Sequence, residues 1–413
     1  MNLRYRLLLV VMVFTCSLVS AQTYDMLIKG GRLIDPKNNI DATMDIAIKD
    51  GKVAKVAKSI SEKEAGKVIA ASGLVVTPGL IDIHGHVFHG TKPNHYLSDG
   101  LTALPPDGFT FRVGVTTIVD CGGVGWKNFD TFKRNVIDAS KTRVLSFMNI
   151  VGEGMRGGAW EQNTGDMDAK LSGMVAKQNK QHIVGFKVAH YGSRDWIPID
   201  RAVEAGRIAD MPVIVDFGGS NEFDPLSIKE LFFERLRPGD IYTHTYAELN
   251  GARETVINRT SRELEPFILD AQKRGIIFDV GYGGASFEFK QAIPALAAGL
   301  YPNTISTDLH TGSMNAAMKD QLNVMTTFLA MGMELPDVIK ASTWKPAQVI
   351  QRVELGHLSE GAIADISILN IREGEFTLWD RTGQKVPTNQ KLECELTVKD
   401  GRVVYDLNGR SIQ

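Results

Sequence analysis

The chain has 413 residues, 43% hydrophobic and 23% charged, with a formal net charge of -2. This is globular composition with apolar material for a large core and more than one domain, so a disordered or fibrous protein is excluded. The near-neutral balance offers no basic field, and no nucleic-acid partner is expected.

The first predicted element is a leader. In "MNLRYRLLLVVMVFTCSLVSAQ", Arg4 and Arg6 precede an apolar run over 7–13, and Val19-Ser20-Ala21 ends in small residues. That order is read as a signal peptide over 1–21, cleaved after Ala21, with the mature protein exported to the periplasm and not held at the membrane. The apolar run is too short to span a bilayer, and the residues before Cys16 are not those of a lipidated cysteine. Cleavage leaves Cys121 and Cys394, too few and too distant for a disulfide framework.

Residues 22–78 read as short strands with turn signals, including the hairpin pattern "DIAIKDGKV". The same texture returns over 350–413 in "ADISILNI" and "LECELTVKDGRVVYD". One small β-sandwich domain built from both chain ends is predicted. Between them, over 79–349, buried apolar runs alternate with helix-patterned stretches. The runs are "LIDIH" (80–84), "TTIVDC" (116–121), "VLSFMNI" (144–150), "IVGFKV" (183–188), "PVIVDF" (212–217), "DIYTH" (240–244), "IIFDV" (276–280) and "TISTD" (304–308). Eight strands alternating with helices predict an α/β chain whose middle closes as a (β/α)8 TIM-type barrel. An open doubly wound sheet is disfavoured because no glycine-rich phosphate fingerprint follows any strand.

Chemistry in such a barrel belongs at the C-terminal ends of the strands. Those ends supply His84 and His86, then Lys187, Asp216, His244 and Asp308. Residues i and i+2 of a fraying strand point to one side, so both imidazoles of His-x-His can reach one cation. Neutral imidazole suits zinc and similar divalent metals. Lys187 is open to two readings at this level: an amine that reaches the rim or pairs with Asp216, or one with depressed basicity that reacts with carbon dioxide to give a carbamate.

With these residues in view, the chain resembles the amidohydrolase superfamily, in its dihydroorotase-like, deacetylase branch. The likeness runs through "LIKGGRLIDPKN", "GLVVTPGLIDIHGHVFHG", "GVTTIVDCGG", "VGFKVAHYGS", "YTHTY", "FDVGYGGASFEF", "ISTDLHTGS" and "LGHLSEGAIADISILNI". It implies a metal-dependent hydrolase that cleaves an amide or ester bond of a small acylated acid with a metal-activated hydroxide. It also implies two zinc ions, manganese being the other candidate, and a bridging carbamate on Lys187. His84 and His86 would bind the more buried ion and His244 the second. Asp308 would touch the first ion and shuttle the proton.

Two positions depart from the family pattern. Asp216 stands where histidine is usual, and is read as a metal ligand in its place, with an orienting role toward a neighbouring ligand as the other reading. Tyr282 also replaces histidine and is expected to face substrate, as are His310 and Arg156. His190 is a weaker candidate to replace the missing imidazole. A small-molecule substrate is the expected partner, and a homo-oligomer is left open. Cyclic-amide hydrolysis of the dihydroorotase kind and ligand binding without turnover are the competing readings.

Overall fold

The computed structural model describes residues 22–90, 92–93, 95–216, 226–251 and 253–412. The leader read over 1–21 lies outside them. The chain opens with strands β1 (Met26–Asp35), β2 (Ile40–Lys49), β3 (Lys52–Ala57), β4 (Val68–Ala70) and β5 (Val75–Pro78). Asp50 and Gly51 turn β2 into β3 at φ 50° and 76°. Two successive positive φ values match the right-handed twist of a tight hairpin, and Asp-Gly tolerates them.

The barrel strands follow: β6 (Leu80–Gly85), β7 (Val115–Gly125), β8 (Arg143–Asn149), β9 (Ile183–Val188), β10 (Val213–Val215), β11 (Ile241–Tyr242) and β12 (Ile277–Phe278). They pair in parallel, each with the next. Residues 304–309 close the ring through single parallel bridges, Asp279 to Thr304 on one side and Leu309 to Gly85 on the other. The eighth predicted strand is thus a chain of bridges rather than a regular ladder. Asp308, at φ 54°, turns the backbone out of extended geometry there.

Alternation along the strands divides the core. In β10, Ile214 faces the barrel interior with Ile81, Ile83, Val119, Phe147, Ile241 and Ile277. Its neighbours Val213 and Val215 face the helices, with Phe186, Tyr242 and Phe278. Those helices include Ala169–Gln178, capped by Asp168, whose carboxylate accepts from the amides of Lys170 and Leu171. No helix among the described residues is long and apolar enough to cross a membrane.

The chain ends with β13 (Ile366–Trp379), β14 (Lys385–Lys399) and β15 (Arg402–Asp406). Hydrogen bonds join both ends in one eight-stranded sheet, in the order β15-β14-β13-β5-β1-β2-β3 with β4 beside β1. The β13–β14 hairpin reaches from this sheet to the barrel. There Asp380 accepts from the amide of Phe289 at 2.7 Å, and Arg381 pairs with the buried Glu288 at 2.6 Å.

Candidate metal centre

His84, His86 and Asp308 bring three buried donor atoms within 4.8 Å of one another. Asp308 Oδ1 lies 2.8 Å from His86 Nε2 and 3.7 Å from His84 Nε2. Burial pushes the Asp308 carboxyl up, but the hydrogen bond with His86 and the electrostatic influence of the neighbouring His84, His86 and His310 outweigh it. The group is held well below the usual carboxylate range. Burial lowers both imidazoles, with Lys187 adding to the effect on each. Neutral rings beside an anionic carboxylate are the protonation states that metal ligands require.

A chain of hydrogen bonds fixes the His84 tautomer. Thr243 donates its hydroxyl to Asp279 Oδ2 at 2.7 Å, so its oxygen can only accept from His84 Nδ1, 2.9 Å away. The lone pair of His84 is therefore on Nε2, which faces Asp308 and lies 3.4 Å from Lys187 Nζ. Asp279 is fully buried and also accepts from Thr304 and Ser306 at 2.6 and 2.8 Å. It holds Thr243, and through Thr243 the ring.

A second group forms beside the first, its His244 ring 4.9 Å from that of His84, and the Lys187 near both is only 1% exposed. His244 Nδ1 donates to the carbonyl of Gly281 at 2.5 Å, which leaves the Nε2 lone pair 3.6 Å from Asp216 Oδ2. Two acceptors then face each other with no hydrogen between them. Nitrogen and oxygen lone pairs converging at this distance fit a cation, which is the test these residues meet for a divalent metal. Burial raises the Asp216 carboxyl, yet His244, Lys187, His190 and Arg253 together hold it below its ordinary value.

Gly281 makes the close approach possible. At φ 47° it carries no Cβ, and one built there would collide with the Thr243 hydroxyl and lie 3.0 Å from His84 Nδ1. His190, His244 and Asp308 also have φ values of 54°, 55° and 54°. Such left-handed backbone in non-glycine residues is held by its surroundings and clusters at functional sites.

His190 reaches the same carboxylate differently. Its Nδ1 donates to the buried Glu161 at 2.9 Å, and its Nε2 lies 3.7 Å from Asp216 Oδ2. Among the described residues, however, the one cluster of three such donors within 4.8 Å is His84, His86 and Asp308. His190 and His244 thus flank Asp216 without forming a three-donor set. His190 also lines a cleft of about 680 Å³ with His95, Tyr96, Thr102, Arg156 and Glu161.

The residues expected to face substrate divide. Arg156 lines that cleft, though its guanidinium pairs with Glu153 at 3.2 Å and lies over the Trp160 ring at 3.9 Å. His310 caps the short helix Thr311–Met314 by accepting from the amide of Gly312, and its ring is 6.0 Å from His86. Tyr282 is placed away from the centre. Its ring stacks on Phe287 at 4.2 Å, it is 1% exposed, and its hydroxyl donates to the carbonyl of Trp379 at 3.1 Å. Gly281 and Gly283, at φ 47° and 60°, turn the chain on either side of it. The expectation of a substrate contact is therefore corrected to a packing role against the C-terminal hairpin. Tyr282→Phe is expected to leave kcat/KM unchanged and to cost about 1 kcal/mol in urea unfolding.

Three participants escaped the sequence reading: Asp279, Glu161 and Arg253. Asp279 ends the seventh strand, in "IIFDV", and the strand-end rule would have found it. Glu161 and Arg253 lie in loops, where no local pattern separates them from solvated charges.

Comparison with known proteins places this geometry. The profile of the Amidohydrolase family matches residues 286–404. A deacetylase of Brucella anthropi is 31% identical over 372 residues, covering 87% of each chain. Among solved structures, an adenine deaminase superposes with a TM-score of 0.82 at 26% identity, covering 93% of this chain and 100% of its own. A dihydroorotase superposes with a TM-score of 0.77 at 27% identity, covering 92% and 99%.

Proposed function

The chain belongs to the amidohydrolase family, and from that premise we propose that it is an exported, periplasmic deacetylase of small acylated acids. The substrate class is an N-acyl amino acid or an acyl hydroxy acid. The observation that carries this reading is the gathering of two groups of metal-ligand type around the buried Lys187: His84, His86 and Asp308 in one, Asp216 and His244 in the other, with the rings of His84 and His244 4.9 Å apart. The deacetylase relative, alike over most of both chains, supports the acyl substrate.

Two divalent ions, zinc or manganese, would be held by these residues, and bound there they would supply an acidified water and a Lewis acid for the scissile carbonyl. The Lys187 amine, on adding to carbon dioxide with loss of a proton, would give a carbamate that adds an anionic oxygen ligand to the set. Asp308, held anionic by His86, is placed to take a proton at its carboxylate and return it to the leaving nitrogen or oxygen. His84 and His244 stay oriented through Thr243 and Gly281. Burial of the whole set keeps bulk water from competing.

The test is a panel of N-acetyl amino acids and O-acetyl hydroxy acids, with a cyclic amide and adenine alongside. It is run on protein purified with bicarbonate and without chelator. Release of acetate, abolished by chelator and restored by zinc or manganese, is the expected result. The chelated protein is also expected to lose about 3 kcal/mol of stability per bound ion relative to protein held at a hundredfold excess of metal over Kd. Turnover of the cyclic amide alone would replace the deacetylase with a dihydroorotase-like enzyme. Two bound ions with no turnover on any substrate would favour a binding protein. Amino-terminal sequencing of the periplasmic fraction tests export, and a first residue other than Gln22 refutes cleavage after Ala21.

A further inference from the structure

Arg253 is a large side chain with no exposed surface. Its Nη2 donates to the Tyr242 hydroxyl, and the guanidinium lies over the Tyr242 ring at 4.9 Å. Among the described residues its Nε and Nη1 find no hydrogen-bond acceptor. The carboxylate it pairs with is Asp216, whose Oδ1 is 3.8 Å from Nη1. A buried guanidinium with two idle donors is costly unless an anion beside it offsets the charge. Tyr242, two residues before His244 at the end of β11, supplies the shelf that holds the guanidinium in place.

The two oxygens of Asp216 are therefore divided. Oδ1 faces the guanidinium, and Oδ2 faces His244 Nε2 at 3.6 Å. At this position a carboxylate brings one negative charge that a neutral imidazole would not, and Arg253 places one positive charge on the side away from the imidazoles. We propose that Arg253 is a positioning residue for the second metal ion, fixing the orientation and charge of Asp216 so that Oδ2 is presented beside His244. The inference rests on the reading of Asp216 and His244 as ligands. Arg253 and Asp216 then form a compensated pair: the arginine has work only while the aspartate is there.

The experiment measures stepwise zinc affinity by competition with a chromophoric chelator, together with the melting temperature of the metal-free protein. It compares wild type, Arg253→Lys, Arg253→Met, Asp216→His and the Asp216→His/Arg253→Met double variant. Arg253→Met is expected to weaken the second equivalent about 10- to 100-fold and leave the first unchanged. Arg253→Lys, which keeps the charge but not the fork, should fall between. In the Asp216→His background, loss of Arg253 should not weaken the second equivalent at all. A lowered melting temperature with both affinities intact would make Arg253 a packing residue and overturn the proposal. So would an equal loss in both backgrounds, because the arginine would then not act through Asp216. If wild type binds a single equivalent, the two-ion reading fails and takes this proposal with it. If wild type binds two and Arg253→Met also binds two with unchanged affinity, only this proposal fails.

Discussion

Asp308→Asn is expected to lower kcat on the best acylated substrate by about 10²- to 10⁴-fold, the range spanned by removal of a positioned acid-base group. The amide keeps the shape of the side chain and one oxygen, but it has no site that can accept and return a proton. Asp308 is suited to this work because it is anionic despite burial. Its Oδ1 sits 2.8 Å from His86 Nε2, and the surrounding imidazoles hold its acidity high. The measurement is single-turnover acetate release, with metal content determined on the same sample. A loss below tenfold with both ions present would remove Asp308 from proton transfer and leave it a ligand only.

Asp279→Asn is expected to be nearly as damaging without approaching the substrate. Asp279 accepts hydrogens from Thr243, Thr304 and Ser306. An amide nitrogen in place of one oxygen would point a donor at hydroxyls that are already donating. About 2–4 kcal/mol of stability should be lost in urea unfolding, because buried polar groups are left mismatched. Thr243 would then be free to turn its own hydrogen toward His84, unsettling the tautomer that exposes Nε2. Zinc affinity at the His84–His86 site should fall about 10- to 100-fold. Affinity unchanged alongside the stability loss would show that Asp279 serves the barrel wall alone.

The reach of the sequence can be judged from these same residues. His84, His86, Lys187, Asp216, His244 and Asp308 were legible as candidates because a parallel barrel collects the C-terminal ends of its strands at one mouth. A polar residue ending an apolar run is therefore informative before any contact is known. The antiparallel hairpin at Asp50-Gly51 was legible for an equally local reason. Tyr282 was misread because its direction is set by two left-handed glycines, and a motif such as "DVGYGG" does not say which way the chain turns between them. Arg253 was invisible for a different reason. It lies in a loop, and its burial comes from Tyr242 and Asp216, neither of which is adjacent in sequence. The long hairpin that crosses to the barrel was seen only as strand-like texture, since its partner at Glu288 and Phe289 is a non-local choice.

The strand order of the terminal sheet has a consequence for how the chain comes into being. β5 lies between β1 and β13, with Pro78 opposite Ile366. The earliest strands can assemble among themselves, but one flank of β5 stays unpaired until synthesis has passed Ile366. For a chain that folds after export, this wait lasts until the C-terminal segment has also crossed the membrane. During it the nascent chain carries an open, apolar β edge of the kind that recruits foreign strands. A late segment of the sequence therefore seals an early one, and truncation before β13 should yield aggregates rather than a free barrel.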